Sequence, residues 1–245
     1  MTVQPTLMMI ADIAGYTRFM KFHYMSLVHA QEIVAKLLEA VIDAAAPSLK
    51  LAKLEGDAAF FYVPTDRDGR LRAEVVTTHA AAIYRAFHER AADLRANTLC
   101  PCDGCTQAGN LKIKMVGHVG PVAVQKVKQM TELAGVDVIV VHRMLKNTVP
   151  LPEYLLMTKP VYDMLDAPVR ERASALELDL DDIGPAHAYY VDLRDCGDAP
   201  EAPPKLSIAA RLARHLGLIG RSLPYIIGLK KACADFHNVP DAARP

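Results

Sequence analysis

Net charge is missing: 28 Lys and Arg against 28 Asp and Glu cancel to zero over 245 residues, with a pI near 7.1. A chain without an overall field has no general means of recruiting a phosphate backbone, so nucleic acid is not an expected partner. Long apolar runs are missing too. Asp, Lys or Arg breaks the most apolar segments well short of the roughly 18–20 residues that span a bilayer. The first residues, Met1-Thr2-Val3-Gln4-Pro5-Thr6, carry no Lys or Arg, and the apolar stretch from Leu7 stops at Asp12. They lack the pattern of a secretory leader, and a cytoplasmic chain is expected. No internal repeat is evident. Cysteine is scarce and odd in number, five in all, with Cys196 and Cys233 standing alone, so a disulfide framework is not expected. What remains, 51% hydrophobic and 23% charged, is an ordinary globular composition, long enough for one large domain with an appendage.

Periodicity divides the chain. Thr6 to Ala11 reads as a short strand, and Gly15 with Thr17 opens a helical pattern from about Arg18 to Ala46, in which Ala30, Ile33, Val34, Leu37, Leu38 and Val41 recur at helical spacing. Leu49–Leu54 and Ala58–Val63 read as strands joined through Glu55-Gly56-Asp57, a hairpin with an acidic tip. An Ala-rich amphipathic helix follows from Arg72 to about Leu94. Strands at 111–119 and 122–127 flank Gly120-Pro121, a helix covers 136–147, and strands at 154–157 and 188–193 enclose a short helix near 161–165. Hairpins among strands that alternate with helices predict an α+β sandwich, a mostly antiparallel sheet with helices on one face. The expected division is a domain over 1–196, a Pro-rich linker over 197–204 and a helical tail over 205–245.

Two carboxylates stand at strand ends, Asp12 after the first strand and Asp57 at the hairpin tip. Each alone is more often a turn or cap residue. Converging, they suit Mg²⁺ or Mn²⁺, which takes one or two protein carboxylates together with substrate phosphates. Their context is specific: Asp12-Ile13-Ala14-Gly15-Tyr16-Thr17, then Lys53-Leu54-Glu55-Gly56-Asp57-Ala58, Gly117-His118-Val119-Gly120, and Gly135 followed by Arg143 on a helix. Over about Thr6 to Leu193 the order of these motifs resembles the class III nucleotidyl cyclase catalytic domain. It looks closest to a bacterial branch of uncharacterised cyclase-like proteins with a Cys-rich loop.

That resemblance implies a ferredoxin-like sandwich and a homodimer with composite sites, Asp12 and Asp57 of one chain facing Lys53, Glu132 and Arg143 of the other. It implies two metal ions on Asp12, Asp57 and the Ile13 carbonyl, and a nucleoside triphosphate as ligand. Lys53 and Glu132 occupy the family's base-reading positions, a pair that favours adenine. Arg143 matches the arginine that stabilises charge on the α-phosphate. Two positions depart from the pattern. Ile139 stands where the family has a ribose-orienting Asn, for which Asn147 is a poor substitute, and Asp182-Ile183-Gly184 stands where it has a triphosphate Lys. The expectation is an ATP-binding cyclase-like protein that forms a cyclic nucleotide weakly. The alternative is a nucleotide sensor or scaffold that kept the fold and lost turnover.

Cys100-Pro101-Cys102-Asp103-Gly104-Cys105 packs three thiols into six residues, while structural Zn²⁺ wants four N or S ligands. His88 is the first candidate for the fourth, with His79, His118 and Cys196 behind it. A reduced cluster without metal is an equal reading. The tail mixes Leu and Ile with Arg211, Arg214, Arg221, Lys230 and Lys231. Such a segment lies on an anionic membrane surface or docks on its own domain or a second subunit. Docking is the preferred reading, because Gly217, Gly220 and Pro224 interrupt an apolar face.

Overall fold

The computed structural model describes residues 2–22, 27–66, 74–98, 107–128, 130–197 and 203–213, with residues 216, 227 and 229. The sheet is built around β1 (Thr2–Ala14). Leu7, Met9, Ala11 and Ile13 point to one face, Met8 and Ile10 to the other, and all six are buried. A strand that is apolar on both faces belongs in the middle of a sheet. β1 accordingly pairs antiparallel with β3 (Ala58–Pro64) on one side and β4 (Lys112–Val127) on the other. β2 (Lys50–Glu55) closes one edge. Beyond β4 come β6 (Tyr154–Thr158), β8 (Gly184–Asp192) and β7 (Ser174–Leu180), while β5 (Met130–Ala134) pairs with the far half of β4. Of these pairings the β4–β6 one alone is parallel.

α1 (Tyr16–Phe22) follows β1. α2 (Leu27–Ala45) and α3 (Glu74–Asn97) cover the Leu7 face, burying Leu37, Val41, Ile83 and Phe87. Each such side chain removed from water contributes about 2 kcal/mol before entropy is charged against it. The Met8 face is roofed by α4 (Val136–Arg143) and the turn after it, through Val141 and Met144 against Phe60 and Val116, with Leu178 and Leu180 of β7 beside them. Helices therefore lie on both faces, two long ones on one and a short one on the other. α5 (Lys159–Tyr162) and α6 (Ala167–Glu171) fill the connection to β7.

The α+β class and the antiparallel sheet stand as the sequence reading had them. Gly120-Pro121 does not divide a strand, because β4 runs unbroken past it. Pro121 falls between the β6 pairing, which ends at Gly117, and the β5 pairing, which begins at Ala123. On that side the ladder asks for no N–H, so a proline is tolerated. β5, β7 and α6 went unread, being short and only partly apolar. Asn97, 1% exposed, donates to the Pro204 carbonyl at 3.2 Å and accepts from the Leu206 N–H at 2.9 Å, so the chain at Pro204 and Leu206 is tied to the end of α3.

Candidate functional site

Register brings the two aspartates to one end of the Met8 face. Asp12 pairs with Ala58 of β3 and Lys114 of β4. Asp57 sits one residue before Ala58, in the turn that Gly56 makes at φ +68°, and its carbonyl accepts from the Ile13 N–H at 3.1 Å. That hydrogen bond ties the hairpin tip to the end of β1. Burial pushes the Asp57 carboxyl up to about 6, and the negative charge of Asp12 adds to the rise. The Ile13 side chain is buried on the opposite face, so only its main chain can serve a ligand here.

Lys114, which the sequence reading passed over, donates to Asp12 Oδ2 at 2.9 Å. Burial pushes the Lys114 ammonium down, but the hydrogen bond and charge of Asp12 outweigh it and the net shift is upward. A basic residue on a strand is unremarkable in sequence. Only the β1–β4 register shows that it stands opposite Asp12.

Lys53 projects from β2 on the same face, its ammonium 2.8 Å from Glu55 Oε1. Both Glu55 oxygens lie 3.0 Å from Nε2 of His142 on α4, and His142 Nδ1 lies 2.6 Å from the Val138 carbonyl. The His142 ring stands edge-on to Phe60. Burial raises the Glu55 carboxyl, but the hydrogen bonds from Lys53 and His142 prevail and hold it below its usual range. Lys53 is thus held in an ion pair; Glu55 lies inside the Lys53–Ala58 motif, which gives it no role, and no motif signals His142. Glu132 lies on β5, opposite Gln125, where β5 runs close to β2.

Arg143 ends α4 and reaches the β7–β8 turn, 3.2 Å from Asp182 Oδ2 and 3.9 Å from Asp181 Oδ2, with Lys146 also on Asp181. Ile139 is 50% exposed on α4. Asn147 is spent on its own turn. It donates to the Met144 carbonyl and accepts from Val149 N–H and the Tyr154 hydroxyl.

The zinc candidates part ways. Cys100, Cys102 and Cys105 lie outside the described residues, and among the described residues no group of three or more His, Cys, Asp or Glu is arranged to hold a metal. His88 gives Nε2 to Glu153 Oε1 at 2.7 Å, leaving Nδ1 for any metal. His79 Nδ1 faces the Val75 carbonyl, and His118 bridges Thr158 and Asp137. The Cys196 thiol packs against the core, where burial pushes it up to about 12.

Among known proteins, the profile of a family described as a protein of unknown function (DUF2652) matches residues 34–154. The uncharacterized protein Rv2561/Rv2562 of Mycobacterium tuberculosis is 46% identical over 206 residues, 84% of this chain and 94% of that one. A bacterial light-regulated adenylyl cyclase superposes with a TM-score of 0.58 at 14% identity over 91% of this chain, which spans 58% of that protein's length. The adenylyl cyclase CyaB from P. aeruginosa gives 0.55 at 12% identity, over 84% of this chain and 98% of that one. The guanylate cyclase domain of RhGC from Catenaria anguillulae, solved in complex with GTP, gives 0.53 at 14% identity, over 78% and 98%. Identities this low speak for the fold alone. No described helix is long and apolar enough to cross a membrane. The relatedness to the mycobacterial protein extends over nearly its whole length, and the chain belongs to its family, built on the fold of the class III nucleotidyl cyclases.

Proposed function

We propose that this chain binds a purine nucleoside triphosphate with divalent metal at the face that carries Asp12 and Asp57, taking ATP before GTP, and that it cyclises the nucleotide weakly. The observation that carries this reading is the Asp57 carboxyl, raised to about 6 by burial and by Asp12. A half-buried acid whose charge is disfavoured by burial and by a neighbouring carboxylate is relieved by a cation. Asp12, Asp57 and the Ile13 carbonyl would hold Mg²⁺ or Mn²⁺, two ions in the manner of the fold family, which neutralise triphosphate charge. Lys114 adds a cation at the same place and leaves Asp12 when metal enters. Lys53 and Glu132 read the base, and Arg143 meets the α-phosphate once freed from Asp182. Two protomers complete each site. A zinc ion on Cys100, Cys102 and Cys105 remains a separate, structural proposal.

A silent nucleotide sensor is the second reading. Two observations favour it: Arg143 is already paired with the Asp181–Asp182 turn, and Ile139 offers no polar atom to a ribose. The test runs the four nucleoside triphosphates with Mg²⁺ or Mn²⁺ through thermal melting and then through mass spectrometry for cyclic products. We expect the largest shift with ATP and a cyclic product lost in Asp57→Ala. Binding without product supports the sensor, and no shift with any nucleotide refutes both readings.

A further inference from the structure

Asp182-Ile183-Gly184 stands where the cyclase pattern has a triphosphate lysine, and that reversal of charge leaves Arg143 short of a companion cation. Lys146 lies three residues beyond Arg143. The turn that carries it is fixed from two sides: the Lys146 N–H donates to the Arg143 carbonyl at 3.1 Å, and the Asn147 amide donates to the Met144 carbonyl at 2.8 Å while accepting from the Val149 N–H. Both cations therefore leave the same end of α4. They converge on one carboxylate oxygen, Asp181 Oδ2, which lies 3.1 Å from Lys146 Nζ and 3.9 Å from one Arg143 nitrogen. A second Arg143 nitrogen donates to Asp182 Oδ2 at 3.2 Å.

The acids reach the cations on a tight turn. The Ile183 N–H donates to the Leu180 carbonyl at 2.9 Å, and Asp182 sits at φ +65°, a left-handed conformation that Asp and Asn adopt more readily than other side chains. The turn is open to water, with the Asp182 side chain 89% exposed. Ion pairs in such a place are weak, because water screens them and two long side chains must be held still. A polyphosphate brings more negative charge than two carboxylates and several oxygens for the same guanidinium fork and ammonium.

We infer that Arg143 and Lys146 form a polyphosphate cradle and that the Asp181–Asp182 turn is a displaceable stand-in for phosphate, occupying the cradle until the ligand enters. The inference takes the identity of its ligand from the nucleotide reading. Lys146 supplies the cation that the β7–β8 turn lacks, and the acids of that turn set a threshold that the triphosphate must overcome.

The test uses the full chain and inorganic tripolyphosphate without divalent metal, so that neither a base nor Asp12 and Asp57 contributes, with affinity read by titration calorimetry. D181N/D182N keeps the turn, since asparagine has the shape of aspartate and tolerates the left-handed conformation. We expect it to bind tripolyphosphate about three- to tenfold more tightly than the parent. Adding Lys146→Ala or Arg143→Ala should abolish that gain. Glu177→Gln removes the same charge from β7, where Glu177 faces His187, and should leave the affinity at the parent's value. No binding by any of these proteins overturns the inference, as does an equal gain from Glu177→Gln or a gain that survives Lys146→Ala. A parallel titration with ATP and Mg²⁺ keeps the two readings apart. Tighter tripolyphosphate binding by D181N/D182N, with no ATP binding by any variant, supports the cradle and refutes the nucleotide reading. ATP binding that D181N/D182N does not strengthen supports the nucleotide reading and overturns the stand-in.

Discussion

Asp57 meets an environment that its sequence position does not suggest. A carboxyl whose folded value lies above its unfolded one is held protonated by the fold. Folding therefore takes up a proton between the ordinary aspartate value of 3.8 and about 6, and stability falls as pH rises through that window. Above it the penalty is fully present. Asp57→Asn is expected to melt with the parent below about pH 4 and above it, in temperature, at about pH 7.5. Mg²⁺ or Mn²⁺ should raise the melting temperature of the parent and not of the variant. A gap between the two proteins that is the same at every pH would show that Asp57 is not strained by its neighbours. Lys114 tempers the effect, since its charge opposes the rise.

At the scale of elements, α4 matters most, because His142 and Arg143 both ride on it. Its first turn is fixed by Asp137, which takes His118 Nε2 at 2.8 Å while His118 Nδ1 meets the Thr158 hydroxyl. Asp137 fits because Gly120 beneath it has no side chain. A Cβ there would lie 2.1 Å from Asp137 Cγ and 2.5 Å from its Cβ, so side-chain rotation alone cannot clear it and the helix must shift. Gly120→Ala is expected to cost about 1–3 kcal/mol in denaturant unfolding and to weaken nucleotide-induced stabilisation, whereas a surface glycine would show neither. A second anchor ties α3 to the sheet. Glu153 is buried and takes the His88 ring, the Ile113 N–H and, at 3.4 Å, the Lys112 ammonium. Burial raises its carboxyl, but these partners outweigh burial and lower it.

The whole molecule is the scale at which the proposed site is complete or not. Asp12, Asp57 and Lys53 share one face of a protomer, yet Arg143 of that protomer is bound to its own β7–β8 turn. A composite site would draw its arginine from a partner. Sedimentation equilibrium is expected to give about twice 26.8 kDa. Asp57→Ala and Arg143→Ala chains, each unable to bind nucleotide productively alone, should recover part of the nucleotide-dependent thermal shift when mixed, since one of the two sites in a mixed dimer is intact. Monomeric mass, or no recovery on mixing, would put the site within a single chain.

By itself the sequence determined the class of fold and the positions of the two aspartates. Alternating apolar residues from Leu7 to Ile13, a Gly-Asp turn between two strands and helical spacing through α2 and α3 are local patterns, and local patterns depend on residues a few places apart. Tertiary structure decided what those residues meet. That Lys114 stands against Asp12 is a matter of strand register across about a hundred positions, and Glu55 meets His142 across 87. Nothing in the spacing of either pair encodes the contact, because it arises from antiparallel pairing and from where α4 settles on the sheet. The tail makes the same point in reverse. Its basic, apolar composition is plain in the sequence, but where it joins the domain is set by Asn97, a buried amide at the end of α3 that no periodicity singles out.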